Sequence, residues 1–99
     1  MKIINENYCA QQIIDFRNKR NWENSHTPSN LAKSIAIEAA ELLELYQWTD
    51  LPQDIERIKE ELADVIIYSI TLAERLQLNI NEIILDKIKK NGIKYPETK

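Results

Sequence analysis

The chain has 99 residues, 43% of them apolar and 29% charged, which suits a soluble globular protein and excludes a disordered one. Thirteen Lys and Arg against sixteen Asp and Glu leave a net charge of −3, excluding a domain-wide basic footprint for duplex DNA. A single cysteine excludes an internal disulfide, no apolar run reaches the ~18 residues of a membrane span, and residues 1–5 are too short for a signal-peptide core, so a cytoplasmic protein without a membrane partner is expected.

A folded chain of this size should expose roughly 5,800 Å², against roughly 17,000 Å² unfolded. One domain over residues 1–99 is therefore feasible, and helix pairing between chains would help it. There is one glycine, Gly92, and there are three prolines, Pro28, Pro52 and Pro96. A β-protein would need more turn residues, so the fold class is all-α, with four helices.

The first helix is expected from about Glu6 to Trp22, where Cys9, Ile13 and Phe16 recur on one face. Glu23 to His26 reads as a polar loop. Thr27 is a good N-cap and Pro28 suits the first helical position, so a second helix should run from there to about Trp48. The third is expected from about Pro52 to Gln77. Its stretch from Leu62 to Ala73 is apolar nearly all round, as in a central helix. Asn79 and Glu82 form a capping pair for a fourth helix, which should end near Asn91-Gly92 on a left-handed glycine. An irregular tail is expected from about 93.

Four carboxylates fall where apolar residues belong. With Glu38 at the origin of a helical wheel, Leu45 and Leu31 lie about 20° to either side, and Glu41 about 60° away. With Glu61 at the origin, Tyr68 and Leu72 lie about 20° to either side, and Asp64 about 60° away. Burying one unpaired carboxylate costs several kcal/mol, and the sequence offers little positive charge on these faces: Lys33 lies about 140° from Glu38 on the wheel, and Arg57, about 40° from Glu61, is one basic residue against four acids. A hard divalent cation such as Mg²⁺ takes oxygen ligands and needs only a few carboxylates. Two such pairs on neighbouring helices would converge on one. The plainer reading, a solvated rim, fits Glu44, Glu56, Glu60 and Glu74 on the polar flanks, although Glu44 could serve as an outer or extra ligand.

Glu38-x-x-Glu41, nineteen intervening residues and Glu61-x-x-Asp64 resemble the signature of the MazG-like all-α nucleoside triphosphate pyrophosphohydrolases, on the dCTP pyrophosphatase side of that family. The resemblance extends over Phe16-Arg17, Asn21-Trp22, His26-x-Pro28-x-Asn30-Leu31, Gln47-Trp48 and the closing Lys87-x-x-Lys90-Asn91-x-x-Lys94-Tyr95-Pro96. It implies a four-helix unit assembling as a dimer or a dimer of dimers. It implies cleavage of a nucleoside triphosphate, pyrimidine by preference, to the monophosphate and pyrophosphate. By the same likeness Glu38, Glu41, Glu61 and Asp64 hold Mg²⁺ and are catalytic, with Glu41 one candidate base. Trp22, Trp48 and Tyr68 hold the base of the nucleotide, Asn91 makes a polar substrate contact, and Lys87 and Lys94 meet phosphates. The chain departs from the pattern at Ile37 and Ala40, where small residues are common, and at Ile13, where some relatives carry a histidine.

Without the resemblance, Trp22 and Trp48 read as core aromatics, the lysines as a solvated face, His26 as a loop or cap residue and Cys9 as a small core residue. Two rivals remain at this level. A ferritin-like di-iron bundle needs Glu-x-x-His pairs, and the only histidine is His26. A non-enzymatic helical interaction module has no use for four acids on apolar faces.

Overall fold

The computed structural model describes residues 8–22, 24–51 and 54–98. They form four helices and no strand: α1 (Tyr8–Lys19), α2 (Pro28–Glu44), α3 (Ile55–Arg75) and α4 (Ile80–Lys94). The expected beginning of the first helix at Glu6, Glu23 of the loop and the expected Pro52 start of the third helix lie outside the described residues.

Side chains start three of the helices. The Thr27 hydroxyl accepts from the Asn30 N–H at 3.2 Å with Pro28 behind it, the Asp54 carboxylate from Arg57 N–H at 3.2 Å, and the Asn79 amide oxygen from Glu82 N–H at 3.1 Å. The helix ends depart from expectation. Gly92 does not cap α4; the helix runs through it to Lys94, and no glycine among the described residues has positive φ. The left-handed positions are Asn21 (φ 55°) and Gln77 (φ 58°). Each closes a Schellman turn: Trp22 N–H donates to Arg17 O at 3.3 Å, and Leu78 N–H to Ala73 O at 2.8 Å. α2 stops at Glu44 instead of near Trp48. Beyond it Leu45, Tyr46 and Gln47 tighten onto carbonyls three residues back, at 2.9–3.3 Å. Leu43 (67% exposed) and Trp48 (88%) have nothing to pack against in this chain, so no tertiary contact sustains further helix.

α2 and α3 form a helical hairpin, with α1 laid across α3. Leu31, Ile58 and Ala73 are the buried apolar residues among those described. Arg17 is buried with them, and its Nη1 donates to Glu74 Oε2 at 2.6 Å, tying α1 to α3. This corrects the expectation for Glu74, which is a half-buried partner of a buried cation and not solvated surface; Glu56 does sit at the surface, 3.0 Å from Lys59.

The chain leaves much apolar surface uncovered. It exposes 8376 Å², well above the roughly 5,800 Å² of a compact monomer of this size. Its radius of gyration is 16.1 Å, where about 13 Å is usual. Leu62 and Ile66 on the expectedly central α3 are nearly half exposed. α4 approaches α3 alone, and every residue from Glu82 to Thr98 is exposed.

Glu74→Ala strands the Arg17 guanidinium in a buried position. It should lower stability by about 2–3 kcal/mol, less than a wholly buried pair because Glu74 keeps some contact with water. Replacing both partners, as in Arg17→Met with Glu74→Leu, should recover most of that loss. Urea unfolding of the two variants checks both outcomes.

Candidate metal and nucleotide site

Leu31 and Ile58 seat α2 against α3, and that packing turns the Glu38 and Glu61 faces toward each other. One carboxylate oxygen from each of Glu38, Glu61 and Asp64 lies within 4.8 Å of the others. Glu41, one turn along α2, is near enough to Glu38 and Glu61 for their carboxyls to act on its own. All four acids singled out in the sequence therefore come together.

Crowded carboxylates resist ionising together. The hydrogen bond with Glu38 pushes the Glu41 carboxyl above its ordinary range, opposed by the bond to Glu61 and reinforced by the charge of Glu38. Glu61 is raised first by burial, then by its hydrogen bond with Glu41 and the charges of Glu41 and Asp64, with Arg57 opposing. Glu38 Oε2 and Glu61 Oε2 are buried with no hydrogen-bond partner. Two unpartnered carboxylate oxygens beside a third acid are the donor set a hard divalent cation takes up. The residues present fit such an ion.

A cavity of about 370 Å³ opens beside the acids, and Asp64 lines it as well. Phe16, Trp22 and Tyr68 give it aromatic walls, Ile13 and Ile67 aliphatic ones, and Gln12, His26 and Thr71 polar points. The Schellman turn at Asn21 delivers two of these residues. It swings Trp22 back over α1, edge-on to Phe16 at 5.6 Å, and His26 N–H then closes onto Trp22 O at 3.0 Å. The imidazole lies 5.7 Å from the Trp22 ring and 6.3 Å from that of Tyr68. Burial, then the charges of Arg17 and Arg75, lower the His26 pKa, so the ring is neutral at physiological pH. Its Nδ1 is buried without a partner. Arg75 holds the turn from behind, donating from Nε to His26 O at 3.1 Å.

Of the expected base-binding aromatics, Trp22 and Tyr68 meet in this cavity. Trp48 does not line it; it stands 88% exposed after α2. Lys87, Asn91 and Lys94 lie on the exposed part of α4, with the Lys94 ammonium 5.4 Å from the Tyr95 ring. Sequence reasoning assigned His26 to a loop or cap and left Phe16 in a packing stripe. The usable signal was the spacing of Trp22 and His26 across a turn that must double back to start α2 at Pro28.

A sequence profile described as the MazG-like family matches residues 33–99. This chain belongs to the MazG-like family. Among its relatives, dCTP pyrophosphatase 1 of Homo sapiens is 36% identical and that of Mus musculus 33%, each over 83% of this chain and 54% of the relative. The chain thus spans about half the length of the curated relatives it matches. A solved pyrophosphatase from Archaeoglobus fulgidus superposes with a TM-score of 0.85 and 37% identity, over 97% of this chain and 100% of its own. The MazG-like likeness therefore extends to the whole arrangement of helices.

The raised Glu41 and Glu61 carboxyls have a thermodynamic consequence. A carboxyl raised in the folded state makes the folded protein bind protons more tightly than the unfolded chain. Metal-free stability from these two groups therefore rises as pH falls through their folded values toward the ordinary 4.5. Glu61→Gln removes one of the repelling charges. The variant should melt higher than the parent at about pH 7.5, and that advantage should shrink as pH falls toward 4.5. Paired thermal melts in chelator check the sign; a variant less stable at both values contradicts it.

Proposed function

We propose that this chain is a Mg²⁺-dependent nucleoside triphosphate pyrophosphohydrolase, cleaving a pyrimidine deoxynucleoside triphosphate to its monophosphate and pyrophosphate. The observation that carries the reading is the position of Asp64, which belongs both to the carboxylate cluster and to the wall of the aromatic cavity. A ligand placed there sets a flat ring among aromatic residues and a charged group beside the acids. Membership of the MazG-like family and the likeness to dCTP pyrophosphatases and to a pyrophosphatase structure support it.

In this reading Glu38, Glu41, Glu61 and Asp64 hold Mg²⁺. The bound ion supplies charge neutralisation at the phosphate oxygens and a water acidic enough to attack at neutral pH. Glu41 is the candidate proton acceptor for the attacking water. Trp22, Phe16 and Tyr68 flank the base and exclude water from it. The neutral His26 ring presents one donor and one acceptor, and with Gln12 and Thr71 it reads the polar edge of the base. The aromatic walls tolerate any base, so discrimination rests on cavity size and that edge. A narrow cavity favours a pyrimidine, with dCTP the first substrate and dUTP or dTTP the second.

The uncovered apolar surface supports a homo-oligomer, a dimer or a tetramer, as the working form. The single thiol of Cys9 is free and suits the reducing cytoplasm.

The test is pyrophosphate release from a panel of nucleoside triphosphates with and without Mg²⁺. Turnover should require the metal and should be lost in Glu61→Gln with the fold retained. Trp22→Ala should raise KM for the best substrate about 5- to 150-fold, the span of ~1–3 kcal/mol of stacking, with little change in metal affinity. Turnover undiminished in Glu61→Gln, or an unmoved KM in Trp22→Ala, overturns the corresponding assignment.

A further inference from the structure

The two halves of the site are held in different ways. The acids stand within helices, Glu38 and Glu41 on α2, Glu61 and Asp64 on α3, and Leu31 and Ile58 are buried where those helices pack. Trp22 and His26 of the aromatic cavity stand on a turn, between the end of α1 at Lys19 and the start of α2 at Pro28. A side chain on a helix inherits the order of the helix. One on a turn has only the order that the turn's own contacts provide.

Most of those contacts are local. Trp22 N–H donates to Arg17 O, and Trp22 O accepts from Ser25 N–H at 3.1 Å, from His26 N–H at 3.0 Å and from the Ser25 hydroxyl at 2.9 Å. Asn30 of α2 donates from Nδ2 to Ser25 O at 3.1 Å. These bonds shape the turn, but none of them reaches α3, which carries the facing wall of the cavity at Ile67, Tyr68 and Thr71. Among the described residues, the hydrogen bond from α3 to the turn is that of Arg75, whose Nε donates to His26 O at 3.1 Å, 49 positions away in sequence.

The placing of that donor is specific. Arg75 is the last residue of α3 and follows Tyr68 by seven positions, about two turns, so both side chains leave the helix on the same side. One helix thus sets the Tyr68 ring and the group that fixes His26 opposite it, 6.3 Å from ring to ring. Its neighbour Glu74 binds the side chain of Arg17, whose carbonyl opens the turn. Consecutive residues of α3 therefore grip both ends. His26 O also lies outside the ladder of α2, where Leu31 N–H closes onto Thr27 O at 2.8 Å. Losing Arg75 frees that carbonyl without breaking the helix. Arg75 does not line the cavity, so it acts on a ligand there only through the turn.

On the nucleotide reading of the cavity, we propose that Arg75 is a positioning residue for base recognition, holding Trp22 and His26 at the spacing from Tyr68 that a nucleobase fills. It sets nucleotide affinity and leaves the hydrolytic step to the acids. Released from Arg75, the turn samples other placements, and a nucleotide binds only those chains in which the turn is in place. Apparent affinity falls by that fraction. The acids keep their positions, because the packing of α2 on α3 does not pass through the turn.

Two measurements test it. Arg75→Met keeps the apolar stem and removes the donor. KM for the best nucleoside triphosphate should rise about three- to tenfold, less than for a charge-assisted hydrogen bond made to the ligand itself, with kcat within about twofold of the parent. Arg75→Lys retains a charged donor and should recover most of the affinity. Lys59→Met removes a positive charge from an exposed part of the same helix and should leave KM unchanged. A rise in KM shared by Arg75→Met and Lys59→Met, or a loss confined to kcat, overturns the proposal. The second measurement needs no substrate. Backbone amide exchange in Arg75→Met should quicken at Trp22, Ser25 and His26 and stay as it is in the middle of α2 and α3. Uniform quickening along the chain, or none at the turn, overturns the positioning role. A parent chain that releases pyrophosphate from no nucleotide removes the nucleotide reading instead, and amide exchange still decides whether Arg75 holds the turn.

Discussion

Four carboxylates pressed together on the seam between two helices set the terms for the rest of this molecule. Ionised, they repel; protonated, they are of no use to a cation. The α2–α3 packing holds them in place nonetheless, with Glu38 and Glu61 each keeping an oxygen buried and unpartnered. Such an arrangement lowers stability in the metal-free protein, and its oxygen donors are of the kind a hard divalent ion takes up. The site is thus built at the expense of the fold around it, which explains why so little of the chain's own positive charge is allowed near it.

The aromatic cavity depends on a different device, a change of direction. α1 must end and the chain must turn back to begin α2 at Pro28. A left-handed asparagine makes that turn and sets Trp22 and His26 side by side on the cavity, with Trp22 still partly open to solvent. The buried Arg17–Glu74 pair then fixes α1 against α3, and Arg75 clamps the turn through the His26 carbonyl. Two cations that could have served a phosphate are used to hold the walls of the cavity.

Exposure connects the fold to assembly. A helix pair with a third helix across it buries few side chains completely, and the surface of the lone chain is that of a part and not of a whole. Apolar residues on α2, α3 and α4 are exposed together. Folding and the covering of that surface are therefore linked, because the helices that build the site are the ones that leave apolar residues exposed.

The sequence by itself determined the helical class, two of the helix starts and the identity of the four acids. Caps and wheel positions depend on residues within a few places of one another, and local spacing is all they require. Thr27-Pro28 and Asn79 start helices wherever they stand, and Glu38, Glu41, Glu61 and Asp64 share faces with leucines by periodicity alone; the Asp54 cap of α3 came only with the structure, the sequence pointing to Pro52. The helix ends were not legible in the same way. Gly92 had the right residue type for a left-handed cap, yet Asn21 and Gln77 took that geometry, because a helix ends where packing stops rewarding it. Trp48 left the helix for the same reason. His26 and Phe16 became walls of the cavity, and Glu74 became the partner of a buried arginine, through contacts between residues far apart in the chain. Those contacts are made only when α1, α2 and α3 are packed, and only the tertiary structure decides them.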